Sequence, residues 1–249
     1  MGCHTPHVSN PADVWTEIPR GWTELSPELS EEVSVKALTA LRLDGERPAQ
    51  DRLRFYYDVD GDYAGASFAQ LAPIEPENIN ATDLHATRLL SVPIGAGATR
   101  RFLDAGAART EMLEALRSIP DRDLLVADPA TFEAMEIFYL AVKTNLSAAS
   151  TRHPDAWVTA SKLCARKRPE LFPVRDRKVS AYLGLTRNNS YRIAWQVFRH
   201  LIGDRDVIAA IDALSDATLA DGQGTRLRLD DSRLRLLDAA IWTDALRSV

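Results

Sequence analysis

The residues best suited to chemistry crowd into one stretch, Trp157 to Leu185. One lysine, Lys162, lies on an amphipathic helical pattern there. One carboxylate, Asp176, follows fourteen residues later, just past breaks at Arg168-Pro169 and Phe172-Pro173. From Lys162 to Lys178, seven Lys or Arg oppose Glu170 and Asp176, a local net of +5 in a chain whose total is −5. A concentrated positive patch on an acidic chain fits a specific anionic partner and argues against an indiscriminate coat on nucleic acid. Arg166, Lys167, Arg168, Arg175, Arg177 and Lys178 are the candidate phosphate contacts, which would make affinity fall steeply with salt. Trp157, Tyr182 and Tyr191 are the nearest aromatic candidates for stacking or wedging.

The run LFPVRDRKVSAYLGL carries a resemblance. Pro173, Val174, Asp176, Val179 and Leu183-Gly184-Leu185 match in order a segment of the helix-hairpin-helix DNA glycosylases, with Arg175 as one extra residue before the Asp. Ser161-Lys162-Leu163 sits where that family's hairpin has Lys-Thr-Ala, and Trp157-Val158-Thr159-Ala160 stands in place of its paired glycines. The resemblance implies a two-lobe helical fold, Asp176 as the catalytic carboxylate and Lys162 as a nucleophile or phosphate contact. It implies double-stranded DNA with a flipped base as the partner. The whole chain also resembles an uncharacterised actinobacterial family of unknown function.

Base excision breaks an N-glycosidic bond whose sugar develops positive charge. A carboxylate beside that sugar stabilises the charge and orients an attacking water or amine. Each residue also has an ordinary reading. Asp176 is an acid at a helix start that can pair with Arg175 or Arg177. Lys162 is a helix-surface lysine. Cys164 is a small core residue, because no His stands near it in sequence.

The elements that must position these residues are mostly helical. Ser26-Pro27 opens a helix with Leu29, Val33, Ala37 and Leu41 on one face, ended by Asp44-Gly45. Leu53–Tyr57 reads as a short strand or a helix end, so a strand or hairpin is expected near 53–68. Tyr56 and Tyr57 there are candidates for base stacking or for the core. Asp58, Asp60 and Asp62 lack the glycine and glutamate of a calcium loop. Asn80 or Thr82 caps the next helix, Gly95 and Gly97 break it, and Thr99 to Ser118 continues with a kink at Gly106. Asp128-Pro129 opens a long, mostly buried helix, in which Glu133 and Glu136 are first-turn acids or a carboxylate pair. Asn188-Asn189-Ser190 leads a helix ended by Gly203-Asp204, and two further helices follow.

The expected fold is mostly α, with two interleaved lobes. Residues 1–24 form a partly ordered lead-in tacked on by Trp15 and Trp22. Residues 25–249 form one helical domain with a candidate sub-boundary near 120–128.

With 249 residues and 45% hydrophobic content, the chain can bury a sizeable core. No apolar run approaches the roughly 18 residues of a membrane span. The first residues lack a secretory pattern, and two cysteines make no disulfide framework, so a cytoplasmic setting is expected. Cys3, His4 and His7 lack a nearby fourth ligand, so no metal is expected, and no cofactor. The function expected is a DNA N-glycosylase, in repair or in defence against phage with hypermodified bases. A non-catalytic nucleic-acid-binding module and a protein-interaction protein are the alternatives.

Overall fold

A computed structural model describes residues 17–147, 155–188, 190–220 and 225–246. Cys3, His4, His7 and Trp15 lie outside these residues. Twelve α-helices run through the described chain: α1 Pro27–Ala40, α2 Ala49–Tyr57, α3 Gly65–Phe68, α4 Ala81–Leu89, α5 Ala96–Leu103, α6 Ala107–Ser118, α7 Pro129–Leu146, α8 Trp157–Lys167, α9 Arg177–Tyr182, α10 Tyr191–Leu201, α11 Arg205–Leu219 and α12 Arg233–Ala245. The fold is all-α. No strand occurs among the described residues, where pairing is confined to an isolated antiparallel bridge between Asp58 and Leu227. No helix among them is long and apolar enough to cross a membrane.

Local chemistry sets most boundaries. Ser26 accepts from the Leu29 N–H over 3.2 Å ahead of Pro27. Asn80 and Asp83 form a reciprocal capping box at the start of α4. Asp128 accepts from the Thr131 N–H over 2.8 Å ahead of Pro129. The expected kink at Gly106 is a full break between α5 and α6.

The strand or hairpin expected near 53–68 is corrected to helix. Leu53, Tyr56 and Tyr57 are buried one helical turn apart on α2, and that spacing overrides the β preference of Phe55-Tyr56-Tyr57. The following helix, α3, packs so close that a Cβ on Gly65 would stand 2.3 Å from the Tyr56 carbonyl oxygen.

The helices sort into two packing groups that interleave along the chain. Helices α4 to α8 pack chiefly on one another, α1, α2 and α9 to α12 do the same, and α3 packs on both α2 and α4. One apolar core joins them. At its centre Trp195 meets Tyr139 at 5.8 Å and Phe172 at 5.5 Å between ring centroids. Trp22 docks on Phe132 at 5.3 Å, which ties the N-terminal lead to this core. Helix α8 is buried almost all round although it carries Ser161, Lys162, Arg166 and Lys167. Each of those polar groups therefore needs a partner inside the protein.

Candidate functional site: an acid and an amine on one cavity

The chain leaves α8, turns at Phe172-Pro173 and returns past it. Ser161 fastens this return twice: its Oγ donates to the Pro173 carbonyl over 3.1 Å and accepts from the Arg175 N–H over 2.8 Å. Between those two bonds the Val174 N–H donates to Asp238 Oδ2 on α12 over 2.8 Å. Asp176 then caps α9, its Oδ1 accepting from the N–H groups of Lys178 and Val179 over 2.8 and 2.9 Å. Gly184, at φ +79°, ends this short helix in the left-handed conformation that favours glycine. Asp176 makes no ion pair among the described residues.

The carboxylate borders a cavity of about 1040 Å³, and Lys162 lines the same cavity. Lys162 Nζ donates to the Leu90 carbonyl over 2.7 Å. Burial pushes its amine below the ordinary lysine pKa, and the charge of Asp176 opposes that shift. Arg177 and Lys178 stand exposed beside Asp176 on the lining.

On another side, α12 presents Arg235, Asp238 and Trp242. Tyr56 and Tyr63 complete an aromatic wall with Trp242, their ring centroids 5.6 and 6.1 Å from the indole. Arg235 Nη1 donates to Asp238 Oδ2 over 2.8 Å. Burial pushes the Asp238 carboxyl up to about 7, assisted by Asp176 and Asp230 and opposed by Arg235 and the Val174 N–H. Asp230, which accepts from Tyr57 Oη over 2.8 Å, is also raised by burial.

Most of the expected phosphate contacts face inward, which corrects that expectation. Arg166 Nε and Lys167 Nζ reach the two oxygens of Asp83 over 3.2 and 2.8 Å, and all three side chains are buried. Arg166 also donates to the carbonyls of Phe68 and Leu71, and Lys167 to that of Glu75. Arg168 donates to the carbonyls of Pro76 and Leu116 over 2.6 and 3.1 Å. Arg175 lies buried over the Trp157 ring at 4.9 Å and reaches Tyr139 Oη at 3.3 Å. Arg166, Lys167 and Arg175 are thus taken up by internal partners, whereas Arg168 is half-buried at the edge of the same region.

Of the stacking candidates, Trp157 is corrected on the same ground, and Tyr182 and Tyr191 are half-buried with their hydroxyls tied internally. Trp157 is buried beneath Arg175. Tyr182 donates to Asp244 over 2.9 Å and to the Lys36 carbonyl over 3.1 Å. Tyr191 donates to Glu136 over 2.5 Å and packs on Tyr139 and Trp195. Glu136 also takes Arg192, so it works as a tie between α7 and α10. Of the tyrosine pair, Tyr56 lines the cavity and Tyr57 is wholly core. Cys164 is fully buried, and burial pushes its thiol up.

Sequence reasoning missed Asp238, Arg235, Tyr63 and Trp242. A faint signal existed: Arg235 and Asp238 stand one turn apart inside the apolar run Leu234 to Ile241, where charge has to be paired or functional. Asp83 had a clearer one, since an acid three residues after Asn80 marks a capping box, but its internal cations lie far along the chain.

No curated protein and no solved structure matches this chain. The model of one family covers residues 49–245, which takes in α2 to α12 and every side chain of the cavity. The chain therefore belongs to the family of unknown function DUF6308.

Proposed function

We propose that this protein is a DNA N-glycosylase whose active site is the cavity bearing Asp176 and Lys162. One observation carries the reading: an acid capping α9 and a buried amine of α8 border the same space. Because Oδ1 of Asp176 is fixed by two N–H groups, the carboxylate stands pre-oriented, as a stabiliser of developing sugar charge must be. A flipped base would enter along the wall of Tyr56, Tyr63 and Trp242, which offers apolar faces for stacking. Arg177 and Lys178, exposed at the lining, would meet the flanking phosphates. Lys162, its amine disposed toward neutrality by burial, is the candidate nucleophile at C1′, with water as the other. The alternatives built on a solvent-facing arginine cluster lose support, because Arg166, Lys167 and Arg175 are buried.

The test is a panel of duplexes carrying damaged bases together with DNA from phage with hypermodified bases. Incubation should create alkali-labile abasic sites, and Asp176→Asn should abolish them while retaining DNA binding. A panel that yields no abasic sites overturns the reading.

A further inference from the structure

We propose that Asp238 is a second working acid of this cavity, the group that gives its proton to the base as it departs. The proposal rests on the base-excision reading and adds a residue to it.

The geometry separates the two oxygens of Asp238. Oδ2 already accepts from the Val174 N–H and from Arg235 Nη1, both over 2.8 Å. Oδ1 is buried and has no hydrogen-bond partner among the described residues. A proton on this carboxyl therefore belongs on Oδ1, since two donors point at Oδ2. A buried hydroxyl without an acceptor is unfavourable, and a base seated against α12 that displaced the cover of Oδ1 would relieve it through a ring nitrogen or carbonyl oxygen. Asp238 lies on the lining between Arg235 and Trp242, next to the wall on which a base would stack.

The charges around it keep that proton available. From its own stretch come Arg235 and Asp230, and Arg235 is shared between the two acids, standing 3.9 Å from Asp230. Helix α2 contributes Tyr56 and Tyr57, whose hydroxyls burial holds in the protonated form. The turn before α9 contributes Asp176, and α8 contributes Lys162 to the same cavity. Burial and the two neighbouring carboxylates favour the acid form of Asp238 up to about pH 7.

In the step proposed, the Oδ1 proton moves to the base as the C1′–N bond breaks and its electron pair stays with the base. Asp176, held by the Lys178 and Val179 N–H groups, faces the positive sugar. The Lys162 amine, or water, adds to C1′ and releases a proton, solvent returns one to Asp238, and water then hydrolyses the lysine adduct where it has formed. The products are the free base and an abasic sugar, and no oxidant or reductant is involved. Two carboxyls in different hydrogen-bond settings, Asp176 capped by two N–H groups and Asp238 buried with one free oxygen, divide the roles of charge stabiliser and acid.

The experiment is the single-turnover rate of base release from a duplex that the protein cleaves, from pH 5 to 9, for the wild type and Asp238→Asn. The wild-type rate should be level below about pH 7 and fall about tenfold per unit above it. Asp238→Asn, which keeps a donor and an acceptor but has no proton to transfer, should bind DNA normally, run about 100-fold slower and lack that limb. A wild-type rate that is flat or rising to pH 9 overturns the proposal, and that measurement needs no variant. So does an Asp238→Asn variant as fast as the wild type. Excision that depends on Asp176 but not on Asp238 removes this role alone, whereas no excision by the wild type removes the base-excision reading and this role with it.

Discussion

The Arg175 N–H donates to Ser161 Oγ over 2.8 Å, in the interior. That bond fastens the turn ending in Asp176 to the helix carrying Lys162, one residue beyond Ser161. The acid and the amine are thus held by a shared buried hydroxyl, with Asp238 bracing the same turn from α12.

Ser161→Ala should test this fastening. The variant orphans the Arg175 N–H and the Pro173 carbonyl, at a cost of about 1–3 kcal/mol. Urea unfolding should reveal that drop in stability. Base release should fall further than stability alone explains, because Asp176 is no longer held. A variant with unchanged stability and rate would show that the hydroxyl holds nothing.

Asp83 should matter far more to folding than any acid on the surface. Asp83→Ala leaves Arg166 and Lys167 buried without their carboxylate, a change of about 3–5 kcal/mol. Arg177→Ala, at an exposed position, should stay within about 0.5 kcal/mol. Chemical denaturation of the two variants side by side checks the contrast.

Arg177 and Lys178 carry the opposite expectation. Arg177→Glu combined with Lys178→Glu should leave the unfolding transition in place and weaken duplex binding. The slope of log K against log salt should shrink by roughly 0.9 for each phosphate that is no longer neutralised. Equal affinity at low salt would show that these side chains do not meet phosphate.

Lys162 can be caught in the act. Borohydride added during base release should reduce a Schiff base and leave a stable protein–DNA adduct, absent from Lys162→Gln. Excision without any adduct would assign the attack to water.

Asp238 also predicts a pH dependence of stability. Its carboxyl titrates near 7 in the fold, above the roughly 3.9 of an unfolded aspartate. Its favourable contribution is therefore complete below about pH 4 and is lost as pH rises through 7. The stability difference between wild type and Asp238→Asn should move in favour of the variant across that window, by up to about 1.4 kcal/mol per pH unit, and level off on either side. Denaturant titrations at pH 4, 6 and 8 measure it.

The amino-acid sequence by itself determined the helical class and several helix starts, and it singled out Asp176 and Lys162. Caps such as Ser26, Asn80 and Asp128 act on N–H groups two or three residues away, so their consequences are local and readable along the chain. Only the tertiary structure decided which charges face outward. Arg166 looked like a phosphate contact until Asp83, 83 residues earlier, was brought against it. Asp238 drew no notice in the sequence, and the fold aims the Val174 N–H, 64 residues away, at one of its oxygens. Burial and ion pairing depend on what the fold places opposite a side chain, and no spacing within a thirty-residue stretch contains that information.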